Sequence, residues 1–191
     1  MSTSVLDRKA SATDEIIEKI PPYSWYVLAL LCVVYLMNFL DRTLIYILFP
    51  PIKKEMILSD LQLALLGTTS FVIFYTALGI PFGRLADKVV RKKMIAVGLA
   101  VWSIFSGLTG FATDFWTIFA CRVMVGVGEA TLGPAAMSLL SDFFPKRMRA
   151  TVQSIYSAGI PLGAAAAFFW AALLRRFLAG DGRFIYLVFR A

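Results

Sequence analysis

The chain has 191 residues, 59% hydrophobic and only 16% charged, whereas a soluble domain carries roughly 25% charge. Nineteen basic against twelve acidic residues give a net charge of +7, but the basic residues gather in short loops between long apolar runs. That pattern fits membrane orientation rather than nucleic-acid binding, and an all-α polytopic membrane bundle is expected.

Residues 1–22 are polar and lack an apolar core, so a cytoplasmic tail is expected rather than a cleavable signal peptide. Asp14 to Ile20 suits either amphipathic turns on the membrane surface or a plain disordered tail. Residues 23–191 read as one transmembrane bundle. Its apolar runs are Ser24 to Phe49, Leu61 to Phe82, Met94 to Ala112, Phe115 to Leu140 and Ala150 to Leu174. Each is close to the roughly 20 residues a helix needs to cross the hydrocarbon. A sixth run, Phe184 to Phe189, is too short to span and reads as a truncated stub.

The first run contains Asp41 and Arg42. Ending it at Leu40 would place both at the interface, but Trp25 to Leu40 is only 16 residues and Thr43 to Phe49 would be stranded. The through-span reading is preferred. Lys and Arg set the orientation. With the N-terminus inside, eleven fall in inner segments and five in outer ones, so the N-terminus is expected in the cytoplasm of a bacterial inner membrane or its equivalent. Arg175 and Arg176 run against that bias.

Cys32 and Cys121 both lie inside apolar runs and read as small packing residues rather than a disulfide. Without histidine or paired cysteines no metal site is expected, and no cofactor motif is present. Any proton-linked chemistry falls to carboxylates.

Between the second and third runs lies Gly83-Arg-Leu-Ala-Asp87-Lys88-Val-Val-Arg91-Lys92-Lys93. Gly83 suits close helix approach, Asp87 suits a cap or a basic partner, and the cationic cluster suits an anionic leaflet. An ordinary positive-inside loop explains the basic residues but not the G-x-L-x-D lead-in. This segment resembles the signature loop of the major facilitator superfamily, G-x-L-x-D-R-x-G-R-K, with Val90 at the second glycine. The spinster branch, which often has a non-glycine there, is more similar. Asn38-Phe-Leu-Asp41-Arg42 resembles its first-helix N-x-x-D-R. Arg122-x-x-x-Gly126-x-Gly128-Glu129-Ala130 resembles its fourth-helix motif, and Ser154 to Gly163, with Gly159 and Pro161, resembles its fifth.

The resemblance covers roughly residues 24–170 and implies the N-terminal half of a twelve-helix transporter of two six-helix halves. It further implies export of lysophospholipids or sphingoid phosphates coupled to protons, with the C-terminal half missing from this chain. The partners so implied are a small amphiphilic or anionic substrate, protons and membrane lipids.

Helix rise compares the depths of the charges. Asp41 lies about 12 Å below the outer end of the first run, and Arg122 about 10.5 Å below that of the fourth. Glu129 lies about 21 Å deep, two turns from Arg122 on nearly the same face, with no basic residue at its own level. Asp41 is expected to pair with Arg122, and Arg42 to lie between that pair and Glu129. Burial and a nearby guanidinium pull a carboxyl's proton affinity in opposite directions, so Glu129 and Asp41 are the candidate proton carriers. Arg42, with Arg122 and Glu129, is the candidate head-group site, since guanidinium binds phosphate or carboxylate in bidentate fashion. A purely structural ion pair is the bland alternative.

Gly126, Gly128, Ala130 and Gly133 form a small-residue strip suited to close packing. Pro134 and Pro161 sit inside their runs, where they kink helices with or without a gating role. Trp25, Tyr26, Trp102, Trp116 and the many Phe residues read mostly as lipid-facing or belt residues, while a few aromatics on the first, second, fourth and fifth runs suit an acyl chain. Three rivals remain. An intramembrane aspartyl protease needs two aspartates on adjacent helices, and Gly126-Val-Gly128-Glu129 supplies a glutamate instead, so no enzyme is expected. A related branch carrying sugar acids or other organic anions also has a first-helix D-R. A transport-inactive truncated half is the third.

Overall fold

A computed structural model of the chain describes residues 20–178. The expected tail before residue 20 and the short run 184–189 lie outside the described residues. Eight α-helices make up the described part: α1 Pro22–Met56, α2 Asp60–Ala64, α3 Ser70–Ala86, α4 Arg91–Thr109, α5 Phe115–Ala130, α6 Leu132–Phe143, α7 Arg149–Ser157 and α8 Gly159–Leu178. A π-helical turn, Leu65–Thr69, joins α2 to α3, and a 3-10 turn, Lys146–Met148, precedes α7. Four helical stretches are long and apolar enough to cross a membrane: Pro22–Pro50, Asp60–Ala86, Phe115–Phe143 and Lys146–Leu173. The expected third span is α4, whose 19 residues open on Arg91-Lys92-Lys93.

Local chemistry sets the boundaries. α1 begins on a proline at its first position, where the missing N–H is no loss. It runs unbroken past Asp41 and Arg42, as the through-span reading requires. It ends at Ile57, whose φ of 53° is rare for a β-branched residue. Ser59 and Gln62 form a reciprocal capping box that starts α2. Asp114 caps α5, its Oδ1 accepting from the N–H groups of Trp116 at 2.9 Å and Thr117 at 3.0 Å. The Thr117 hydroxyl and N–H hold the Asp114 carboxyl below the ordinary value of 3.8.

Two spans break near their prolines. Pro134 cannot donate to the carbonyl of Ala130, and the helix is interrupted at Thr131, between α5 and α6. Pro161 likewise leaves the carbonyl of Ser157 without its partner, and the break falls at Ala158. Pro81, by contrast, sits within α3 without ending it.

α1 packs along α8, and α4 along α5, with α3 against the other face of α5. The backbones of α1 and α5 are not close-packed, so they meet mainly through side chains. Apolar clusters lie toward both ends of α1. One joins Leu28 and Leu31 to Ala135, Leu140 and Tyr156; the other joins Ile45, Leu48 and Ile52 to Leu66 and Ile118.

Candidate functional site

Successive helical residues point about 100° apart, so Asp41 and Arg42 on α1 address different partners. Both partners stand on α5. Asp41 Oδ2 lies 3.7 Å from Arg122 Nη1, and Arg42 Nε donates to Glu129 Oε2 at 2.6 Å. Arg122 and Glu129 are seven residues apart, two turns of one face. Arg42 reaches the deeper Glu129 because helical side chains lean toward the helix N-terminus, which here means away from the C-terminal end of α1. The expectation that Glu129 has no cation at its level is therefore corrected. Backbone rise alone ignored the length and tilt of the arginine.

Glu129 and Arg122 are buried, while Asp41 and Arg42 are about one-fifth exposed. Glu129 Oε1 and Arg122 Nε have no hydrogen-bond partner among the described residues. Asn38, one turn before Arg42, is also buried with its Nδ2 unpartnered. Aromatic rings surround the Arg42 guanidinium: Phe71 at 4.5 Å, Tyr75 at 4.7 Å and Phe39 at 5.2 Å from its carbon to the ring centroids. Phe71 and Tyr75 sit one turn apart on α3 and stack on each other at 5.4 Å. Electron-rich faces thus stabilise a cation whose Nε is held by Glu129.

The sequence reading missed the α4 side of this layer. Trp102, expected at the lipid or in an interfacial belt, is buried; its Nε1 donates to Asp41 Oδ2 at 3.4 Å. Ser106 Oγ donates to Asp41 Oδ1 at 2.6 Å. The signal was available, since Trp102, Ser106 and Thr109 at helical spacing put donors on one face of an otherwise uncharged span.

The glycine strip is only partly a packing seam. α4 and α5 cross at Gly98 and Gly128, where an added Cβ on Gly128 would meet the backbone of Gly98 and Trp102 at 2.7 Å. Gly126 faces the Phe71 carbonyl, with its Cβ position 3.2 Å away, and Gly159 faces Tyr35 and Leu36 at 3.1 and 3.2 Å. Gly133 is looser. Around Gly83 nothing described comes within 4 Å of a Cβ, so its expected role in close helix approach is corrected.

In the basic loop, Val90 adopts φ −67°, a value that demands no glycine. Asp87 is exposed and makes no side-chain hydrogen bond or ion pair among the described residues. Arg91 instead pairs with Asp142 at the end of α6. Lys92 Nζ donates to the Tyr23 hydroxyl at 3.0 Å and lies over the rings of Tyr23 and Phe143. The loop is tied to the neighbouring helix ends rather than to its own aspartate.

The Major Facilitator Superfamily profile matches residues 31–189. This chain belongs to that superfamily. It is 32% identical over 73% of its length to the protein spinster of Drosophila melanogaster, and 32% over 75% to spinster homolog 1 of Homo sapiens. It is also 33% identical over 67% of its length to the hexuronate transporter of Bacillus subtilis. A crystal structure of a bacterial homolog to the human lysosomal transporter spinster, inward-facing and unoccupied, superposes with a TM-score of 0.75 at 32% identity. That superposition covers 88% of this chain and 40% of the other. The chain spans 23% to 30% of the length of these three curated relatives. An all-α bundle matching the N-terminal half of the facilitator fold is thus in place, and with it a multi-pass integral membrane protein.

Proposed function

We propose that this bundle is the N-terminal half of a proton-coupled secondary transporter for a lysophospholipid or sphingoid-phosphate-like amphiphile, with its N-terminus in the cytoplasm. The observation that carries the reading is the pair of ion pairs held inside the membrane-spanning bundle, Asp41–Arg122 and Arg42–Glu129. Ionisable groups at membrane depth are expensive, cluster at cavities and pathways, and need partners. Glu129 and Asp41 take the role of proton carriers. Arg42 takes that of the anionic head-group anchor, with Arg122 and Glu129 beside it. Its aromatic surround suits an amphiphile, with rings for the chain and the guanidinium for the phosphate. Gly83, Asp87, Arg91 and Lys92 act as the gating loop, and Pro134 and Pro161 as the breaks about which the half-helices rock.

The similarity to a hexuronate transporter supports a second reading, in which Arg42 holds the carboxylate of a sugar acid. Binding of a lysophospholipid or of a hexuronate to the purified 191-residue chain separates the two. Tight binding of the lysolipid, lost in Arg42→Ala, supports the first reading; hexuronate binding alone overturns it. Alternating access needs two halves, so uphill uptake into liposomes is expected only when a C-terminal half is supplied. Uptake by this chain alone would contradict that expectation.

A further inference from the structure

Asn38 stands one turn before Arg42 on α1, only 1% exposed, with its Nδ2 unpartnered among the described residues. Its direction follows from its neighbours. Tyr35 and Leu36 lie against Gly159, and Leu36, Phe39 and Leu40 against Gly163, so that face of α1 is turned to α8. At about 100° per residue, Asn38 falls on the opposite face, between Asp41 on one side and Arg42 on the other. Those two reach Arg122 and Glu129 of α5. The amide is therefore aimed at α5 between the two ion pairs, where the helix backbones stand apart.

We infer that Asn38 is a positioning residue for Glu129: its amide N–H takes the free carboxyl oxygen of that acid, and holds it in place, when Arg42 turns to an anionic ligand. The two groups are complementary. Glu129 Oε1 is a buried acceptor with no donor, and Asn38 Nδ2 a buried donor with no acceptor, on facing helices. Their levels agree, because Arg42 leans over the Asn38 turn to reach the Glu129 carboxyl. Leaving either group unmet is costly, and a Glu129 freed from Arg42 satisfies both by bonding to Asn38.

The charged groups around Glu129 are Arg42 and Asp41 on α1 and Arg122 on α5. From α3 come the uncharged rings of Phe71 and Tyr75, and from α4 the neutral donors Trp102 and Ser106, both spent on Asp41. A guanidinium favours the charged acid, whereas a neutral amide donates equally well to the carbonyl oxygen of a protonated one. Asn38 thus suits an acid that must stay in place while its proton comes and goes. The inference rests on the roles proposed above for Arg42 and Glu129 and deepens them, but its test needs no transport.

The test uses the full 191-residue chain in detergent, at a pH low enough to protonate Glu129. The infrared carbonyl band of that acid is taken as the difference from the same chain carrying Glu129→Gln. Arg42→Met supplies the released state, keeping the apolar stem without the cation. There the band is expected at the lower frequency of a hydrogen-bonded carbonyl. Adding Asn38→Leu moves it up to the frequency of a carbonyl without a donor, and adding Asn38→Ser instead moves it only part of the way. Thermal unfolding is the second readout. Asn38→Leu is expected to leave the midpoint of the otherwise native chain unchanged or higher, and to lower it by several degrees in Arg42→Met, because the two residues serve one acid. A band indifferent to Asn38→Leu, or a fall in the native chain as large as that in Arg42→Met, would overturn the inference. Dodecyl phosphate added to the native chain is expected to bring out the same Asn38-dependent band. If it does not, while the Arg42→Met results hold, the head-group role of Arg42 alone is lost.

Discussion

Glu129 gives one carboxylate oxygen to Arg42 at 2.6 Å and leaves the other without a donor among the described residues. A buried acceptor in that state costs about 1–3 kcal/mol, so the site is held short of full satisfaction. Glu129→Gln keeps the shape and an acceptor for Arg42 but cannot exchange a proton. With both halves present, it is expected to abolish the dependence of transport on the proton gradient. Gradient-dependent transport by this variant would remove the proton role from Glu129.

Truncation tests the same pair differently. Glu129→Leu strands the Arg42 cation, and breaking a buried pair destabilises by about 3–5 kcal/mol. The lower end is expected, because Arg42 is 23% exposed and keeps its aromatic surround. Thermal unfolding in detergent should rank wild type above Glu129→Gln and that above Glu129→Leu.

Gly128→Ala drives a Cβ into the α4 backbone, where no side chain can move aside. Overpacking of this kind destabilises by about 1–3 kcal/mol. Gly83→Ala has open surroundings and is expected to be neutral or slightly stabilising. The two midpoints, measured side by side, decide whether the crossing or the mere presence of glycine matters.

At the start of α5, Asp114→Ala removes the acceptor for two backbone N–H groups and lowers stability, while Asp114→Asn retains most of it. The sign of the pH effect follows from a carboxyl whose folded pKa is depressed below 3.8. Its contribution is present above that ordinary value and is lost as pH falls through the lower folded one. In Asp114→Ala that part of the acid destabilisation should vanish from the melting curves.

Arg91 and Asp142 are 28% and 57% exposed, so their ion pair is screened by solvent. A double-mutant cycle should give a coupling of at most about 1 kcal/mol, falling with added salt. A larger, salt-insensitive value would mean that this contact is a structural clamp.

Hydropathy and helix length made most of the architecture readable. The run beginning at Phe115 starts where α5 starts, because Asp114 is a strong cap next to an apolar stretch. The run expected at Met94 begins three residues early, because Arg91 to Lys93 fit the exposed first turn of a helix that composition reads as loop. The breaks at Thr131 and Ala158 follow from Pro134 and Pro161, whereas Pro81 shows that proline alone does not dictate one. The pairing of Asp41 with Arg122 could be read from helix rise. Arg42 was expected between that pair and Glu129, but its direct bond to Glu129 depends on where a long side chain leans. Trp102 was assigned to the lipid or belt and Ser106 passed over, although their helical spacing with Thr109 marks one polar face, because neutral donors are weaker signals than charges.

The two ion pairs between α1 and α5 lie between two greasy stoppers, one around Ala135 and Leu140 and the other around Leu48 and Ile118. A cavity lined by Ile45, Leu48, Asp41 and Arg122 opens beside the second. A polar side chain put at Ala135, which is fully enclosed, would stand inside the first stopper among apolar groups with no partner to meet it.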